Sequence, residues 1–281
     1  MRQSEKDYKR IVIKIGASLL YSAKIAPDYN FIETVAGQIS HLVKDKKEVI
    51  LVSSGAIASG MSILGLESRP KGLSYLQAVA AIGQQELMNI YRKAFKERAL
   101  NCAQVLLTWE DFDNRKRYIN AKNTLLTLLK LGSIPVINEN DTVSTDEIKF
   151  GDNDRLSALV ATLITADILI ILSDIDGLLA KDKKTVIRVV DEITPQVKSL
   201  ACPTDKKACV GGMITKIEAA KISIDSGIPC VIANGRRKNI ILSVIEEPRE
   251  YGTLFLSKKS LTARERWIAF GTKPKGKLVV D

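Results

Sequence analysis

Residues 134–172 read IPVINENDTVSTDEIKFGDNDRLSALVATLITADILIIL and predict a complete strand–loop–helix–strand unit. The runs Ile134–Ile137 and Ile168–Leu172 are short and continuously apolar, as buried strands of parallel sheets are. The longer apolar segment Leu156–Ala166 between them predicts a helix. Strands that alternate with helices favour a parallel sheet that helices cover on both faces. In such folds, ligands bind beyond the carboxyl ends of the strands.

The loop of this unit, Asn138–Ser157, carries six carboxylates in a chain whose formal net charge is +10. Its position directly after a buried strand is typical of a ligand site. The alternative interpretation is a solvated acidic hairpin that ends in a helix-capping aspartate. Within the loop, TVSTDEIKF (142–150) predicts a short two-stranded ribbon with Asp146 and Glu147 at its tip. The six acidic residues are Glu139, Asp141, Asp146, Glu147, Asp152 and Asp154.

The rest of the sequence continues the alternation between strands and helices. Further strands are predicted at Arg10–Ile15, Glu48–Ser53, Cys102–Leu107, Cys230–Ala233 and Thr253–Leu256. Helices are predicted at 28–46, at 73–99, at Lys216–Ser226 and at Arg236–Ile245, and the second of these is expected to break near Gly83. A further helix includes Arg115 and ends at Gly132. A hairpin is predicted over 178–194. We therefore expect an α/β fold, a three-layer α/β/α sandwich with a mostly parallel central sheet, in one domain over residues 1–260.

The composition is that of an ordinary globular protein, with 46% apolar and 26% charged residues in a chain of 281. The amino-terminal segment MRQSEKDYKRIVIKIG contains no apolar stretch long enough for a secretory signal. The longest apolar region, Leu156–Leu172, is interrupted by polar residues, and a helix followed by a strand explains it better than a membrane span. We therefore expect a cytoplasmic protein without a membrane partner.

Cysteine and histidine are too sparse for several common kinds of active site. The cysteines form no CxxC pair and have no accompanying histidine ligands, which disfavours a zinc site or a disulfide framework. Histidine occurs once, as His41, which is predicted to be structural. The chemistry therefore has to proceed without a histidine base. The basic excess suits an anionic ligand such as a nucleotide, a phosphate or a nucleic acid, although short basic groups are usually solvated surface. The four cysteines are Cys102, Cys202, Cys209 and Cys230.

Two further strand ends carry residues that suit an anion. Lys14 shares one face of the strand RIVIKI with Val12, and a lysine buried there requires a nearby anion unless its side chain reaches the sheet edge. Gly16 follows and would let a ligand approach the backbone. The segment Ser53-Ser54-Gly55 offers hydroxyl and amide N–H groups at a helix start, although small residues also suit strand–helix packing.

A glycine-rich segment, VGGMITK (210–216), precedes the helix predicted at Lys216–Ser226. A lysine in the first turn of a helix opposes the macrodipole, and an anion at Gly211 and Gly212 would offset this. An exposed lysine that is tolerated at a small cost is the alternative. Neither GxxxxGK[ST] nor GxGxxG occurs in the chain, so the segment is neither a Walker loop nor a dinucleotide fingerprint.

Five separated motifs occur together: KIGAS (14–18), LVSSGAIASG (51–60), PVINENDTV (135–143), FGDNDRLSALVA (150–161) and GGMITKIEAA (211–220). In this order and spacing, the chain resembles the amino acid kinase family over residues 10–270. The motifs are most similar to those of members that phosphorylate glutamate, rather than acetylglutamate, aspartate, carbamate or uridylate. The resemblance implies ATP and Mg²⁺ as cofactors and transfer to the γ-carboxylate of L-glutamate, the first step of proline biosynthesis. It also implies feedback inhibition by proline and a homo-oligomer, either a dimer or a tetramer.

The resemblance also assigns roles to individual residues. Lys14 and Lys216 would be the catalytic lysines, and Asp154 would be the catalytic carboxylate that orients both. Glutamate would be held by Ser54, Gly55, Asp141 and Asn153, with Asp152 as a weaker candidate. ATP would be bound by Lys14, Gly16, Ser173, Asp174, Val210, Gly211, Gly212, Met213, Ile214, Thr215 and Lys216, and no metal ligand is assigned because Mg²⁺ would arrive with ATP. The family often has threonine at the positions of Ser173 and Val210, so a contact from Val210 would have to come from its backbone.

This reaction suits a chain without a histidine base. The γ-carboxylate of glutamate has a pKa of about 4.3 and is already an ionised nucleophile at neutral pH. Phosphoryl transfer mainly requires positioning and neutralisation of the phosphoryl oxygens, which two lysines, Mg²⁺ and backbone amides can supply. Two neighbouring lysines would repel each other without a carboxylate between them, a role that suits Asp154. Asp141 is a natural partner for the substrate ammonium group.

Two other functions are compatible with parts of the sequence. One is a different acyl- or phosphate-kinase of the same fold. The other is a non-catalytic basic module that binds RNA or senses glutamate, although 5% aromatic residues are few for base stacking. The basic tail, residues 261–281, resembles the junction to the RNA-binding-like PUA domain that many bacterial members of the family carry. From this tail we expect no nucleic-acid partner.

Overall fold

The structure, a computed structural model, describes residues 7–21, 27–144, 153–201 and 212–257. Its strands are β1 (Arg10–Ile15), β2 (Glu48–Ser53), β3 (Asn101–Leu107), β4 (Ser133–Glu139), β5 (Ile168–Ser173), β6 (Val189–Val190), β7 (Cys230–Asn234) and β8 (Thr253–Phe255). Its helices are α1 (Ala17–Leu20), α2 (Tyr29–Lys44), α3 (Ala56–Leu64), α4 (Leu73–Lys96), α5 (Trp109–Asp113), α6 (Arg115–Lys130), α7 (Asn153–Ile164), α8 (Pro195–Leu200), α9 (Met213–Asp225) and α10 (Ile240–Glu246).

These strands form one sheet in the order β3-β4-β2-β1-β5-β7-β8-β6. The strands from β3 to β7 in this order run parallel, and β8 pairs antiparallel with β7. The predicted α/β fold with a mostly parallel sheet is therefore confirmed. The chain goes from β1 to one side of the sheet and later enters β5 on the other side of β1. This is the topological switch point at which such sheets bind ligands.

The two faces of the sheet bury separate hydrophobic clusters. In β1, Ile11, Ile13 and Ile15 belong to the cluster that includes α2, α4 and α10, whereas Val12 belongs to the cluster that includes α6, α7 and α9. Full burial of such a side chain stabilises the fold by about 1.5–3 kcal/mol. Because side chains alternate along a strand, Lys14 lies on the face of Val12, which α7 and α9 cover.

Helices α3 and α4 cross in direct backbone contact. A Cβ atom at Gly83 would lie 1.9 Å from the carbonyl oxygen of Ala56, and one at Gly60 would lie 1.9 Å from that of Val79. The close approach of the two helices therefore requires both glycines. The break predicted near Gly83 is wrong, because α4 is continuous. Glycine at this position serves helix packing and holds α3, which follows the Ser-Ser-Gly turn, against α4.

The last helix starts later than predicted. It begins at Ile240 rather than at Arg236, because the N–H of Arg236 donates to Asn234 Oδ1 (2.9 Å) in a turn. Asn239, with a left-handed φ of 54°, then forms the N-cap of the helix. Asparagine tolerates this conformation better than most residues.

The hairpin predicted over 178–194 is only partly formed. One antiparallel bridge joins Leu179 to Val186, after which the chain enters β6 and pairs with β8. Other predictions lie outside the described residues, namely most of the ribbon (145–150), the glutamate candidate Asp152, the tail 261–281 and the pair Cys202 and Cys209. Within the described ranges, no helix is long and apolar enough to cross a membrane.

Candidate active site

The predicted site residues lie along one edge of the sheet. The carboxyl ends of its strands carry Lys14 (β1), Ser54 (after β2), Asp141 (after β4) and Ser173 (β5). The first turns of α7 and α9 contribute Asn153, Asp154, Thr215 and Lys216. Because parallel strands all end on the same side, residues that are far apart in sequence meet here.

Asp154 joins the two predicted catalytic lysines. Its Oδ1 lies 2.5 Å from the Nζ of Lys14, and its Oδ2 lies 3.2 Å from the Nζ of Lys216. Lys14 is 5% exposed, Asp154 4% and Lys216 7%. The alternatives in which Lys14 reaches the sheet edge, or Lys216 is an exposed lysine, are therefore wrong.

The carboxyl group of Asp154 is held in its ionised form. Burial raises its pKa, but the charges of Lys14 and Lys216 and a hydrogen bond from Thr215 outweigh burial and hold the pKa below its ordinary value. In that hydrogen bond, Thr215 Oγ1 donates to Asp154 Oδ2 at 2.8 Å. Two ammonium groups and one carboxylate leave a net charge of +1 in a buried site. Such a site favours an incoming anion, because an uncompensated buried charge is costly.

The first turn of α9 brings Lys216 to Asp154. Its N-cap is Gly212, whose φ of +107° is a conformation that glycine adopts readily. Lys216 Nζ donates to the Gly212 carbonyl at 3.1 Å, and Thr215 Oγ1 lies 3.0 Å from the same carbonyl oxygen, because helical side chains point toward the N-terminus of their helix. Of the other predicted nucleotide residues in this segment, Met213 and Ile214 lie in the same turn, whereas Val210 and Gly211 lie outside the described residues.

Asn153, the residue before Asp154, enters a neutral hydrogen-bond network. Its NH₂ group shares two hydrogens among three acceptors: the Ser53 carbonyl (3.2 Å), the Ser54 hydroxyl (2.9 Å) and Asn138 Oδ1 (2.9 Å). Its Oδ1 is buried and has no hydrogen-bond partner in the described part of the chain. A buried acceptor without a donor costs about 1–3 kcal/mol, so an N–H group of a ligand would fit there. Successive helical residues point about 100° apart, which lets these two neighbours serve different networks.

Local packing shapes the Ser53-Ser54-Gly55 turn. Gly55 has a φ of +108°, and a Cβ atom there would lie 2.8 Å from the ring of Tyr21, so a side chain at this position would force a shift. Ser53 Oγ shares a hydrogen bond of 2.9 Å with the hydroxyl of buried Tyr91. The turn therefore has a defined conformation, which presents the Ser54 hydroxyl to Asn153.

Asp141 lies in the turn after β4 and is half-buried. Burial raises its pKa to about 6, and the positive charge of Arg69 acts in the opposite direction. A second cation nearby would stabilise the ionised form of this carboxylate and lower its pKa. The ammonium group of an amino acid is a suitable cation.

Gly16, Ser173 and Asp174 lie at the neighbouring ends of β1 and β5. The N–H of Gly16 donates to the Leu172 carbonyl at 3.2 Å. A Cβ atom at Gly16 would lie 3.8 Å from the Nζ of Lys14, so glycine leaves the backbone beside this lysine uncovered. Ser173 is buried, and its Oγ donates to Asp174 Oδ1 at 3.0 Å, while Asp174 itself is exposed. This part of the edge can accept a ligand next to Lys14.

Three supporting side chains were missed by the sequence analysis, namely Gln84, Tyr91 and Asn138. Asn138 belongs to the motif PVINENDTV but received no role. A signal for Gln84 is present in the sequence, because Gln77 and Gln84 are seven residues apart and share one face of α4. Tyr91 has no comparable signal, since its contact with Ser53 depends on how α4 packs on the sheet.

Comparison with known proteins agrees with these motifs. The sequence model of the amino acid kinase family matches residues 9–234. A glutamate 5-kinase from Caldanaerobacter subterraneus subsp. tengcongensis is 49% identical over 278 residues, which cover 97% of this chain and 74% of that protein. The chain belongs to the amino acid kinase family. A glutamate 5-kinase from Paraburkholderia phymatum is 45% identical, over 100% of this amino acid kinase and 77% of its own length.

A solved structure is also similar in fold. It is N-acetylglutamate synthase from Neisseria gonorrhoeae complexed with coenzyme A and N-acetyl-glutamate, with a TM-score of 0.65 over 90% of this chain and 60% of that chain. At 16% identity, this similarity supports the fold alone. In this amino acid kinase, three of the five motifs supply Lys14, Asp154 and Lys216, the members of the buried ion cluster.

Proposed function

We propose that Lys14, Asp154 and Lys216 form the phosphoryl-transfer centre of this amino acid kinase. The chain catalyses the ATP-dependent phosphorylation of L-glutamate on its γ-carboxylate to L-glutamyl 5-phosphate, the first step of proline biosynthesis. The observation that carries the assignment of these residues is the buried contact of one carboxylate with two lysines at the switch point of the sheet. A buried excess of positive charge is difficult to explain as a source of stability alone.

The chain's own residues account for the chemical step. The γ-carboxylate of glutamate needs no base, because its pKa of about 4.3 leaves it ionised at neutral pH. One of its oxygens forms a bond to the γ-phosphorus of ATP while the bond to the bridging oxygen breaks, and ADP leaves with the electron pair. The ammonium groups of Lys14 and Lys216, held in place by Asp154, neutralise the charge on the transferring oxygens.

Mg²⁺ is used together with ATP and, when bound, neutralises phosphate charge. Phosphate oxygens and water make up much of its coordination in kinase sites. Both carboxylate oxygens of Asp154 already contact lysines, so this side chain is poorly placed to bind the ion. We therefore assign no protein ligand to Mg²⁺. The net positive charge of the ion cluster suits the triphosphate that carries the metal.

We place glutamate between the Ser-Ser-Gly turn and the start of α7. Its α-ammonium group would donate to the buried Oδ1 of Asn153. It would also pair with the carboxylate of Asp141, whose pKa is raised by burial and whose ionised form a nearby cation would stabilise. Its α-carboxylate would accept from the Ser54 hydroxyl and from N–H groups that follow Gly55 at the start of α3. Because Asp154 directly follows Asn153, the γ-carboxylate would extend toward the lysines.

We place ATP on the other side of the lysines. Its phosphates would lie against Lys14, Gly16 and the first turn of α9, Gly212–Lys216, where backbone N–H groups of a helix start favour an anion. Ser173 and Asp174 at the end of β5 would line the rest of the nucleotide site. We also propose that Val210 and Gly211 contact the nucleotide.

Proline inhibition and self-association are further proposals. Proline carries an ammonium group and an α-carboxylate on the same carbon, as glutamate does, so it suits the polar groups of Asn153 and Asp141. A homo-oligomer, a dimer or a tetramer, would cover exposed apolar side chains such as Tyr75, Ile82 and Val143. Inhibition kinetics and the mass in solution by light scattering test these two proposals separately.

The domain assignment and the location in the cell are also proposals. We assign residues 1–260 to one catalytic domain, because the last described strand, β8, is hydrogen-bonded within the same sheet. We place the protein in the cytoplasm, where the free thiols of Cys102 and Cys230 would stay reduced.

The decisive test is ADP release that depends on L-glutamate, with hydroxylamine to trap the acyl phosphate. We expect turnover with glutamate and only background rates with aspartate, N-acetylglutamate, UMP or carbamate. Added proline should lower the glutamate-dependent rate. Absence of glutamate-dependent ADP release would contradict the function, whereas turnover that ignores proline would contradict only the proposed inhibition.

A further inference from the structure

The hydrogen-bond network at the start of α7 continues beyond the substrate site to helix α4. Asn138 Nδ2 donates to Gln84 Oε1 at 2.8 Å, and Gln84 Nε2 donates to Gln104 Oε1 at 3.4 Å. Together with the bond from Asn153 to Asn138, four amide side chains form a continuous row. The row begins at buried Asn153, passes through half-buried Gln84 and ends at exposed Gln104 on β3.

Two backbone groups determine the direction in which these amides point. The N–H of Glu139 can only donate, and it faces Asn138 Oδ1 at 2.9 Å. The carbonyl of Ser53 can only accept, and it faces Asn153 Nδ2 at 3.2 Å. A flipped amide at either position would place donor against donor or acceptor against acceptor. Asn138 therefore has to turn its NH₂ group toward α4, where an acceptor is required.

The side-chain oxygen of Gln84 is this acceptor. Asn138 is 2% exposed, so water has little access to its NH₂ group. Without the Gln84 oxygen, a buried donor would lack a partner, which is unfavourable enough to displace the side chain. Any rotation of Asn138 would move the Oδ1 atom to which Asn153 donates.

A second glutamine on the same face of α4 strengthens this connection. Gln77, two helical turns before Gln84, donates through Nε2 to the carbonyl oxygen of Ser144 at 3.1 Å. The two glutamines therefore bind both ends of the segment 138–144, which contains Asp141. Helix α4 in turn is held against α3 by the backbone contact at Gly83.

We propose that Gln84 is a positioning residue for glutamate. Through Asn138, it holds the amide of Asn153 in the orientation that turns Oδ1 toward the substrate ammonium group. Gln84 acts on the substrate only through these two residues. The inference rests on the proposed function and deepens it, because it explains how an α-amino acid is distinguished from a dicarboxylate that lacks the amine.

Three variants isolate the hydrogen bond between Gln84 and Asn138. Gln84→Met keeps the length of the side chain and removes the acceptor, whereas Gln84→Glu keeps an acceptor oxygen. Gln85→Met is the matched control, since Gln85 is the exposed neighbour on α4, whereas Asn138 Nδ2 donates to Gln84. For Gln84→Met we expect the KM for glutamate to rise about tenfold, the value of one hydrogen bond, with kcat and the KM for ATP unchanged. Gln84→Glu should restore most of the affinity, and Gln85→Met should match the wild type.

Glutarate supplies a readout that a merely structural role would not change. It has both carboxylates of glutamate and lacks the ammonium group, so its affinity, as a substrate or as a competitive inhibitor, does not depend on Asn153 Oδ1. In Gln84→Met we expect the preference for glutamate over glutarate to fall about tenfold. Equal weakening of glutamate and glutarate, or glutamate kinetics equal to those of Gln85→Met, would overturn the proposal.

The test remains decisive if Gln84→Met fails to fold. Gln84→Asn has the same polarity, but its shorter side chain cannot reach Asn138, so it should lose the preference that Gln84→Glu keeps. An unchanged preference in Gln84→Asn would overturn the proposal. A wild-type protein without glutamate-dependent turnover would contradict the proposed function instead, so the two failures are distinguishable.

Discussion

The first two residues of α7 lead into two regions of different character. Asp154 belongs to a charged region in which Lys14, Lys216 and Thr215 surround one carboxylate. Asn153 belongs to a neutral region of amides, a hydroxyl group and a backbone carbonyl. Both regions are buried at the same edge of the sheet. The charged groups around Asp154 lie where the negative charge of the transferring phosphoryl group has to be neutralised. The neutral hydrogen bonds around Asn153 lie where the substrate has to be oriented.

This difference predicts two kinetic signatures within one helical turn. A change in the charged region alters the stabilisation of the transition state and should appear in kcat. A change in the neutral region alters the binding of glutamate and should appear mainly in its KM. If mutations in the two regions had the same kinetic effect, the regions would not have separate roles in transfer and binding.

Asp154→Asn is expected to have the largest effect. The variant keeps the shape of the side chain and leaves two buried ammonium groups without their counter-ion. Loss of one partner from a buried ion pair destabilises the fold by about 3–5 kcal/mol. Because both lysines lose the group that positions them against the transferring charge, kcat should fall about 10²–10⁴-fold in the ADP-release assay. A thermal melt checks that the variant is folded. A folded variant with wild-type kcat would show that Asp154 does not organise the lysines.

Lys216→Ala is expected to have the next largest effect. One of the two cations that neutralise the transferring group is lost, and kcat should fall about 10²–10³-fold while glutamate still binds. Lys221→Ala is the matched control, because Lys221 lies on the same helix with a side chain that is 47% exposed. Full turnover in Lys216→Ala would show that this lysine takes no part in the transfer.

A smaller effect is expected from pH at Asp141, three residues after Asn138 of the neutral region. The pKa of Asp141 is raised to about 6 in the free protein, and only its ionised form attracts the substrate ammonium group. As pH falls from 7 to 5 the ionised fraction falls, so the KM for glutamate should rise about tenfold. In Asp141→Asn the KM should be higher at pH 7 and nearly independent of pH over this range. A wild-type KM that stays constant between pH 7 and pH 5 would remove Asp141 from the glutamate site.

Features that depend on local pattern were predictable from the sequence. The alternation in RIVIKI placed Lys14 on the correct face of β1, and the polar segments after β2 and β4 marked the edge at which the site lies. The helix after the acidic loop was also predicted, although it begins at Asn153 rather than at Leu156. These predictions succeed because residue period and strand-end composition are local properties.

Features that depend on packing between distant elements were not predictable. Gly83 suggested a broken helix, but it permits the backbone contact between α3 and α4. Tyr91 lies among ordinary helical residues, and its role arises only when α4 packs beside β2. The spacing of Gln77 and Gln84 indicates a shared helix face, but not that Gln84 contacts Asn138 on β4. The order of strands in the sheet, which makes β1 the switch point, likewise has no local signal.

Calorimetric titration of glutamate into Asp154→Asn and Asn153→Ala tests the division between the two regions most directly. Asp154→Asn should bind glutamate within about threefold of the wild-type Kd, because the carboxylate that orients the lysines does not hold the substrate ammonium group. Asn153→Ala should bind glutamate at least about tenfold more weakly, because an acceptor for that group is lost. Equal loss of glutamate affinity in the two variants would contradict the division.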